Sequence, residues 1–157
     1  MKKIFSFVLV AAILSTIFVF SAYADENDPS GYEIEYLENG DYIVTYFDAD
    51  ANLIPDDGAK GTVVHSKTSR YYNSSGATMW YVTVTGKFTY NGVYSSCIEA
   101  AHAAGAPGST WSIVSASHSK SGNTAKATAK ARHTSAGGYS DYTRSVTIKC
   151  APNGVIT

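Results

Sequence analysis

Apolar and polar residues alternate with a period of two along most of the chain beyond residue 31, and this alternation predicts β-strands. The pattern is clearest over residues 79–90, where one face carries mainly large apolar residues and the other mainly threonines. The apolar face consists of Trp80, Val82, Val84, Phe88 and Tyr90. Gly86 interrupts that face, which is where a β-bulge or a close backbone approach is expected.

A β-hairpin is predicted near the start of the patterned region. Asn39-Gly40 lies between two alternating runs, residues 32–37 and 42–47. Asn-Gly favours a two-residue type I′ turn because both residues tolerate a positive φ. In that register Ile34 shares a face with Ile43, and Glu35 lies beside Val44. An isolated hairpin is marginal in water, so we expect this one to dock on the rest of the chain.

Further strands follow at intervals typical of a small sandwich. Residues 124–133 alternate strictly between alanines on one side and mostly Lys, Thr and Arg on the other, a spacing that gathers the alanines on one face only in a strand. Residues 98–106 are rich in alanine and are the one stretch where we expect a helical turn or two. The remaining strands are expected at residues 62–72, 93–97, 111–119 and 140–150.

Six strands after residue 58 and two in the hairpin predict an all-β fold. We expect a small antiparallel, immunoglobulin-like β-sandwich with an N-terminal β-hairpin.

Charge divides the chain in two, although the net charge is only −1. Residues 25–57 hold eleven acidic side chains and no basic one, whereas residues 58–157 hold ten Lys and Arg against Glu99 and Asp141. We therefore predict an acidic segment at 25–57 and a basic sandwich domain at 58–157. Fields of opposite sign attract, so the hairpin is expected to dock against the basic domain, as extra strands or as a removable cover.

Residues 1–24 are predicted to be a secretory signal peptide. Lys2 and Lys3 precede a largely apolar stretch, and Ala22-Tyr23-Ala24 supplies the small residues of a cleavage site before Asp25. The alternative is a retained membrane anchor, since this stretch is nearly long enough to span a bilayer. We expect cleavage and a secreted, extracellular mature chain with no membrane contact.

Cys97 and Cys150 are the two cysteines. In an exported protein a pair of cysteines is expected to form a disulfide. The alternative is a catalytic thiol at Cys97.

Most of the chain from about Tyr32 onward resembles a known group of proteins. The resemblance rests on three features: the run from Asn73 to Gly92 with its alternating Trp80, Val82 and Val84, the cysteine after that run, and the segment 119–125. In these features the chain is similar to uncharacterised small secreted β-rich proteins of Gram-positive anaerobes. The resemblance implies an all-β exported domain and implies neither an activity nor any site residues.

Candidate catalytic and metal-binding residues are sparse. A Ser-His-Asp site would have to draw on Asp141 or Glu99, and no Gly-x-Ser-x-Gly motif supports one. Glu99 and His102 lack a third metal ligand at a diagnostic spacing. The Asp48-x-Asp50-x-Asn52 run lacks the Gly and Glu that an EF-hand needs. We therefore expect no enzyme, no metal and no cofactor.

The basic face gives the strongest functional expectation, which is binding. Its candidate ligand-binding residues are three cations of one strand and three tyrosines: Lys126, Lys130, Arg132, Tyr71, Tyr72 and Tyr81. A row of cations could hold an anionic cell-envelope polymer or glycan, with nucleic acid less favoured, while tyrosines could stack on sugars. Two alternatives stay open: lysines that protect a solvated edge strand, and a protein–protein effector or inhibitor anchored by Trp and Tyr.

Overall fold

The computed structural model describes residues 31–48 and 60–157, so the predicted signal peptide and residues 25–30 and 49–59 of the acidic segment and its junction lie outside the described residues. Within these two ranges there are eight strands, and no helix there is long and apolar enough to cross a membrane. The strands are β1 (Tyr32–Tyr36), β2 (Tyr42–Phe47), β3 (Gly61–Tyr72), β4 (Thr78–Tyr90), β5 (Ser95–Gly105), β6 (Trp111–Ser121), β7 (Thr124–Ser135) and β8 (Gly138–Lys149).

The predicted all-β sandwich is confirmed. Strands β1 to β5 form one antiparallel sheet and β6 to β8 form a second, each strand pairing with the next along the chain. Both sheets are therefore meanders, without the Greek-key crossing of an immunoglobulin domain. The acidic hairpin supplies β1 and β2, and β2 pairs with β3 over residues 42–47. It is thus an integral part of the larger sheet.

The core lies between β4 of the larger sheet and β7 of the smaller one. Val82, Val84 and Phe88 are fully buried and face the fully buried alanines of β7, which the alternation placed on one side. Because alanine is small, the second sheet can come close to the bulky side chains of β4. Pairing large residues with small ones in this way leaves no empty space between the sheets. The core is completed at β8 by Val146 and Ile148.

Gly86 provides the close approach that the pattern predicted. A Cβ at this position would lie 2.5 Å from the Phe88 ring and 3.0 Å from the Ala125 Cβ. The Phe88 ring therefore covers the bare backbone of Gly86. A register shift between Lys87 and Phe88 marks the accompanying bulge.

The turn of the hairpin differs from the prediction. Gly40 N donates to Leu37 O, Leu37 N donates to Asp41 O, and Gly40 has a φ of 83° while Asn39 has no positive φ. These features describe a three-residue loop with a glycine bulge rather than a type I′ turn. The extra residue shifts the register by one, so every side chain of β1 lies on the opposite face from the predicted one.

The expected helical turns at residues 98–106 were also wrong. Residues 98–105 of this stretch lie within β5, which pairs with β4. If these residues formed a helix, the backbone N–H and C=O groups of β4 that now pair with β5 would lose their hydrogen-bond partners. Tyr81 also packs over Gly105, where a Cβ would lie 2.7 Å from the ring.

The predicted disulfide is absent, because Cys97 and Cys150 are both free and buried. Each thiol donates to a nearby carbonyl of its own segment, Cys97 Sγ to Glu99 O at 3.2 Å and Cys150 Sγ to Ala151 O at 3.4 Å. Burial raises the pKa of both thiols. Both residues therefore act as small apolar core residues.

Because His65 is buried, we predict that the stability of the fold decreases at acidic pH. Burial lowers the pKa of His65 from 6.5, so the unfolded state binds the proton more readily. Its contribution to stability is complete above pH 6.5 and is lost as the pH falls from there through the folded-state pKa. We expect urea unfolding at pH 7.5 and 5.0 to show a larger loss of stability for the wild type than for His65→Leu. An equal loss in both proteins would contradict this role.

Candidate anion-binding face

The outer face of the smaller sheet gathers the three predicted cations. The alanines of β7 face the core, so the residues between them must project outward because side chains alternate along a strand. The outward row is Lys126, Thr128, Lys130 and Arg132, and β7 is the central strand of its sheet. Lys149 of β8 lies opposite Thr124 at the same end of this face as Lys126. We call this surface the cationic face.

Hydroxyl side chains flank the cations on both sides. On β6, Ser119, Ser117 and Ser115 lie directly opposite Lys126, Thr128 and Lys130. On β8, Thr147, Ser145 and Thr143 lie opposite the same three residues. Thr128 and Ser145 share a hydrogen bond of 2.7 Å. The cations attract negative charge, and the neighbouring hydroxyls can donate hydrogen bonds. Together these groups can bind the oxygens of a phosphate, sulfate or carboxylate.

Asp141 is the acidic residue within this face. Its carboxylate accepts two hydrogen bonds from Arg132, at 2.7 and 2.9 Å, and lies 2.8 Å from the Lys130 amine. Hydrogen bonding to Arg132, and then to Lys130, holds the pKa of Asp141 well below its usual range. The guanidinium of Arg132 also lies 3.9 Å from the centroid of the Tyr139 ring. Asp141 therefore fixes two of the cations in place and neutralises one charge.

The net charge of the face remains positive. Four cations, Lys126, Lys130, Arg132 and Lys149, stand against Asp141, and among residues 31–48 and 60–157 neither Lys126 nor Lys149 has an ion-pair partner. Alternate residues on one face of a strand are about 7 Å apart. Lys130 and Arg132 are thus separated by one such step, and Lys126 and Lys130 by two. The row would suit a linear ligand with regularly spaced negative charges.

The structure does not bring the predicted tyrosines to this face. Tyr71 is only 4% exposed, packs near Trp80 and Trp111 between the sheets, and donates its hydroxyl to Asp41 at 2.6 Å. Burial, and then the hydrogen bond to Asp41, raise the pKa of Tyr71 to about 12. Its role in the structure is to join the hairpin turn to the core.

Tyr72 and Tyr81 lie on the outer face of the larger sheet, on the other side of the molecule. The ring of Tyr72 stacks on Tyr42, with centroids 5.1 Å apart and 12° between planes. The ring of Tyr81 covers Gly105 and lies 5.7 Å from the Arg70 guanidinium. Both rings therefore already pack against protein groups, which limits stacking on a ligand.

An ion pair that the sequence did not reveal joins the acidic hairpin to the smaller sheet. Arg144 of β8 donates to Glu35 of β1 at 2.7 Å and to the Ser69 hydroxyl at 3.1 Å. Arg144 lies opposite Ala129, which places it on the inner face of its sheet. The described part of the acidic segment therefore contacts the inner side of the smaller sheet and leaves the cationic face open.

Glu99, His102, His118 and His133 each contact another side chain. Glu99 pairs with Lys87 at 3.2 Å, and His133 stacks on Trp111. His102 and His118 share a hydrogen bond. In the part of the chain that the structure describes, no three His, Cys, Asp or Glu side chains could hold a metal ion together. A cavity of about 300 Å³ lies beside the Lys87–Glu99 pair and is otherwise lined by Val64, Thr85, Ala100 and Ala101.

Comparisons with known proteins add no relative: no family model, curated protein or solved structure matches this chain. The resemblance to secreted proteins of Gram-positive anaerobes stays a prediction.

Proposed function

We propose that this protein is an exported, non-catalytic binding module whose cationic face holds an anionic cell-envelope polymer or glycan. The observation that supports the proposal is the outward row of cations on β7, framed on both sides by hydroxyl residues. A polymer lying along β7 would meet Lys126, Lys130 and Arg132 in turn, while serines and threonines donate to the oxygens of its charged groups.

The position of β7 argues against the simplest structural explanation of these lysines. Lysine on an exposed edge strand prevents edge-to-edge pairing. Strand β7, however, is paired on both sides, with β6 and with β8. Its lysines therefore have no edge to protect, and a surface role in binding becomes the better explanation.

The alternative, a protein–protein effector or inhibitor anchored by Trp and Tyr, receives no support from its tryptophans. Trp80 is 3% exposed, and Trp111 packs against Trp80, Tyr71 and Tyr142 within the sandwich. Interface hot spots need such side chains at the surface. Both tryptophans instead contribute to the packing between the sheets.

Retention on an immobilised anionic polymer tests the proposal. We expect the chain to bind heparin or polyphosphate beads and to be released as salt rises, and not to bind neutral dextran. The variant Lys126→Gln/Lys130→Gln/Lys149→Gln should elute at clearly lower salt. Because each lost cation–phosphate contact reduces the slope of log affinity against log salt by about 0.7–0.9, this slope should fall by about 2–3.

A matched variant controls for net charge. Lys60→Gln/Lys87→Gln/Lys120→Gln also removes three positive charges, but from positions outside the cationic face. It should retain nearly wild-type elution. If both triple variants lose the same retention, binding depends on net charge alone and the proposed face is wrong.

A further inference from the structure

A pair of histidines bridges the two sheets at the side where β5 and β6 lie next to each other. His102 Nδ1 lies 2.7 Å from His118 Nδ1, and the ring centroids are 5.0 Å apart. The two strands belong to different sheets and share no hydrogen-bonded ladder. The contact between the rings is therefore a side-chain link across an open seam.

Both rings are positioned by regular strand pairing and remain exposed to solvent. His102 lies opposite Val84 of β4, and His118 lies opposite Ala127 of β7. Since Val84 and Ala127 are fully buried, both histidines project from the core-facing sides of their sheets, at the open margin. Two rigid strands thus hold two imidazoles with the same nitrogen atom facing across the seam.

A short contact between two ring nitrogens requires that one ring donates a proton and the other accepts it. A metal ion can replace this hydrogen bond if both rings turn so that the two Nδ1 lone pairs converge on one point beside the line that joins the nitrogens. If the donor ring moves its proton from Nδ1 to Nε2, both Nδ1 lone pairs face the seam, and two neutral rings need release no proton.

We propose that His102 and His118 bind one divalent transition-metal ion, with Cu²⁺ preferred over Ni²⁺ and Zn²⁺. Imidazole suits all three ions, and Cu²⁺ binds nitrogen ligands most tightly in the divalent series. Metal–nitrogen bonds of about 2.0 Å at a right angle need a nitrogen separation of about 2.8 Å, whereas a tetrahedral site needs about 3.3 Å. The observed 2.7 Å is closer to the tetragonal geometry of Cu²⁺ and Ni²⁺.

Water would complete the coordination. The nearest charged residues of the same strands have other partners: Glu99 pairs with Lys87, and the Lys120 amine bonds to the Ile98 carbonyl. A bound ion would also join the two sheets where no backbone ladder does. Because it would bind the folded chain and not the unfolded one at this site, it should raise the melting temperature.

Titration of the full chain with CuCl₂ tests this site, with NiCl₂ and ZnCl₂ in parallel. Isothermal calorimetry and the Cu²⁺ electron paramagnetic resonance spectrum should show one site with nitrogen ligation and the order Cu²⁺, Ni²⁺, Zn²⁺. His102→Gln and His118→Gln should each weaken binding at least tenfold and abolish the metal-dependent rise in melting temperature. The double variant gives the background from the rest of the chain.

His133→Gln is the matched control, because His133 stacks on Trp111 away from the seam. It should bind Cu²⁺ like the wild type. Wild-type affinity in either seam variant, or an equal loss in the control, would overturn the proposal. Circular dichroism of each variant tests whether the substitution leaves the fold intact. Retention on anionic polymers is a separate readout, so this site and the cationic face can fail independently.

Discussion

Replacing Phe88 with alanine is expected to lower the free energy of unfolding by about 3–5 kcal/mol, the range for truncating a buried phenylalanine. Phe88 is fully buried in β4, and its ring covers Gly86, where an added Cβ would also lie 3.0 Å from Ala125 of the opposite sheet. Truncation would leave a cavity at the centre of the sandwich. Urea unfolding followed by tryptophan fluorescence measures the loss, and a change below about 1 kcal/mol would contradict this central role.

Gly86→Ala completes a double-mutant cycle with this variant. In the wild type the added methyl would clash with the Phe88 ring, at an expected cost of about 1–3 kcal/mol for overpacking. In the Phe88→Ala background the same methyl no longer clashes with the ring and keeps only its 3.0 Å contact with the Ala125 Cβ, so most of its cost should disappear. We expect the two effects to be strongly non-additive. Additive effects would mean that the glycine is not needed for ring placement.

Deleting the acidic hairpin with residues 25–57 is the second variant with a large expected effect. The deletion removes β1 and β2, and with β2 the hydrogen-bonding partner on one side of β3. It also removes the buried Ile43 and exposes the buried Tyr71. Burial of each large apolar side chain contributes about 1.5–3 kcal/mol, so we expect a loss of about 3 kcal/mol or more, or failure to fold. Chemical unfolding of the deletion variant and the full chain measures this difference.

Glu35→Gln separates charge from packing in this experiment. It removes the ion pair with Arg144 and keeps both strands. Because the Glu35 side chain is half exposed, the expected loss is below about 1 kcal/mol. Equal stability of the deletion variant and the full chain would show that the hairpin is an appendage. A loss in Glu35→Gln as large as that of the deletion would assign its docking to charge alone.

Strand positions could be predicted from the sequence wherever one residue type marked one face. The alanines at every second position of β7 and the apolar run of β4 each identify a strand and its inward side. The hairpin shows the limit of this reasoning. Asn39-Gly40 predicts a turn, but the number of loop residues decides which face each β1 residue occupies. The glycine bulge adds one loop residue, so the β1 side chains lie on the faces opposite to the predicted ones. The alanines of β5 were ambiguous because only pairing with β4 decides their conformation.

Three of the four cations of the candidate site were accessible to the same reasoning, because Lys126, Lys130 and Arg132 alternate with the alanines of β7. Lys149 was missed, since it joins the face only through the register of β8. The ion-pair partner was not accessible either, since Asp141 reaches Arg132 and Lys130 only through the register of β8. Contacts between the sheets, such as Glu35 with Arg144 and His102 with His118, depend on how the two sheets pack. Alternation within one strand contains no information about that packing.

The central claim is that a polyanion binds along β7, and mapping the contact by nuclear magnetic resonance tests it most directly. The ¹⁵N-labelled chain would be titrated with a short polyphosphate, and amide shifts followed residue by residue. We predict that the largest changes lie in β7 from Lys126 to Arg132 and in the facing residues of β6 and β8. Changes centred on Arg70, Tyr72 and Tyr81 of the larger sheet would contradict the account.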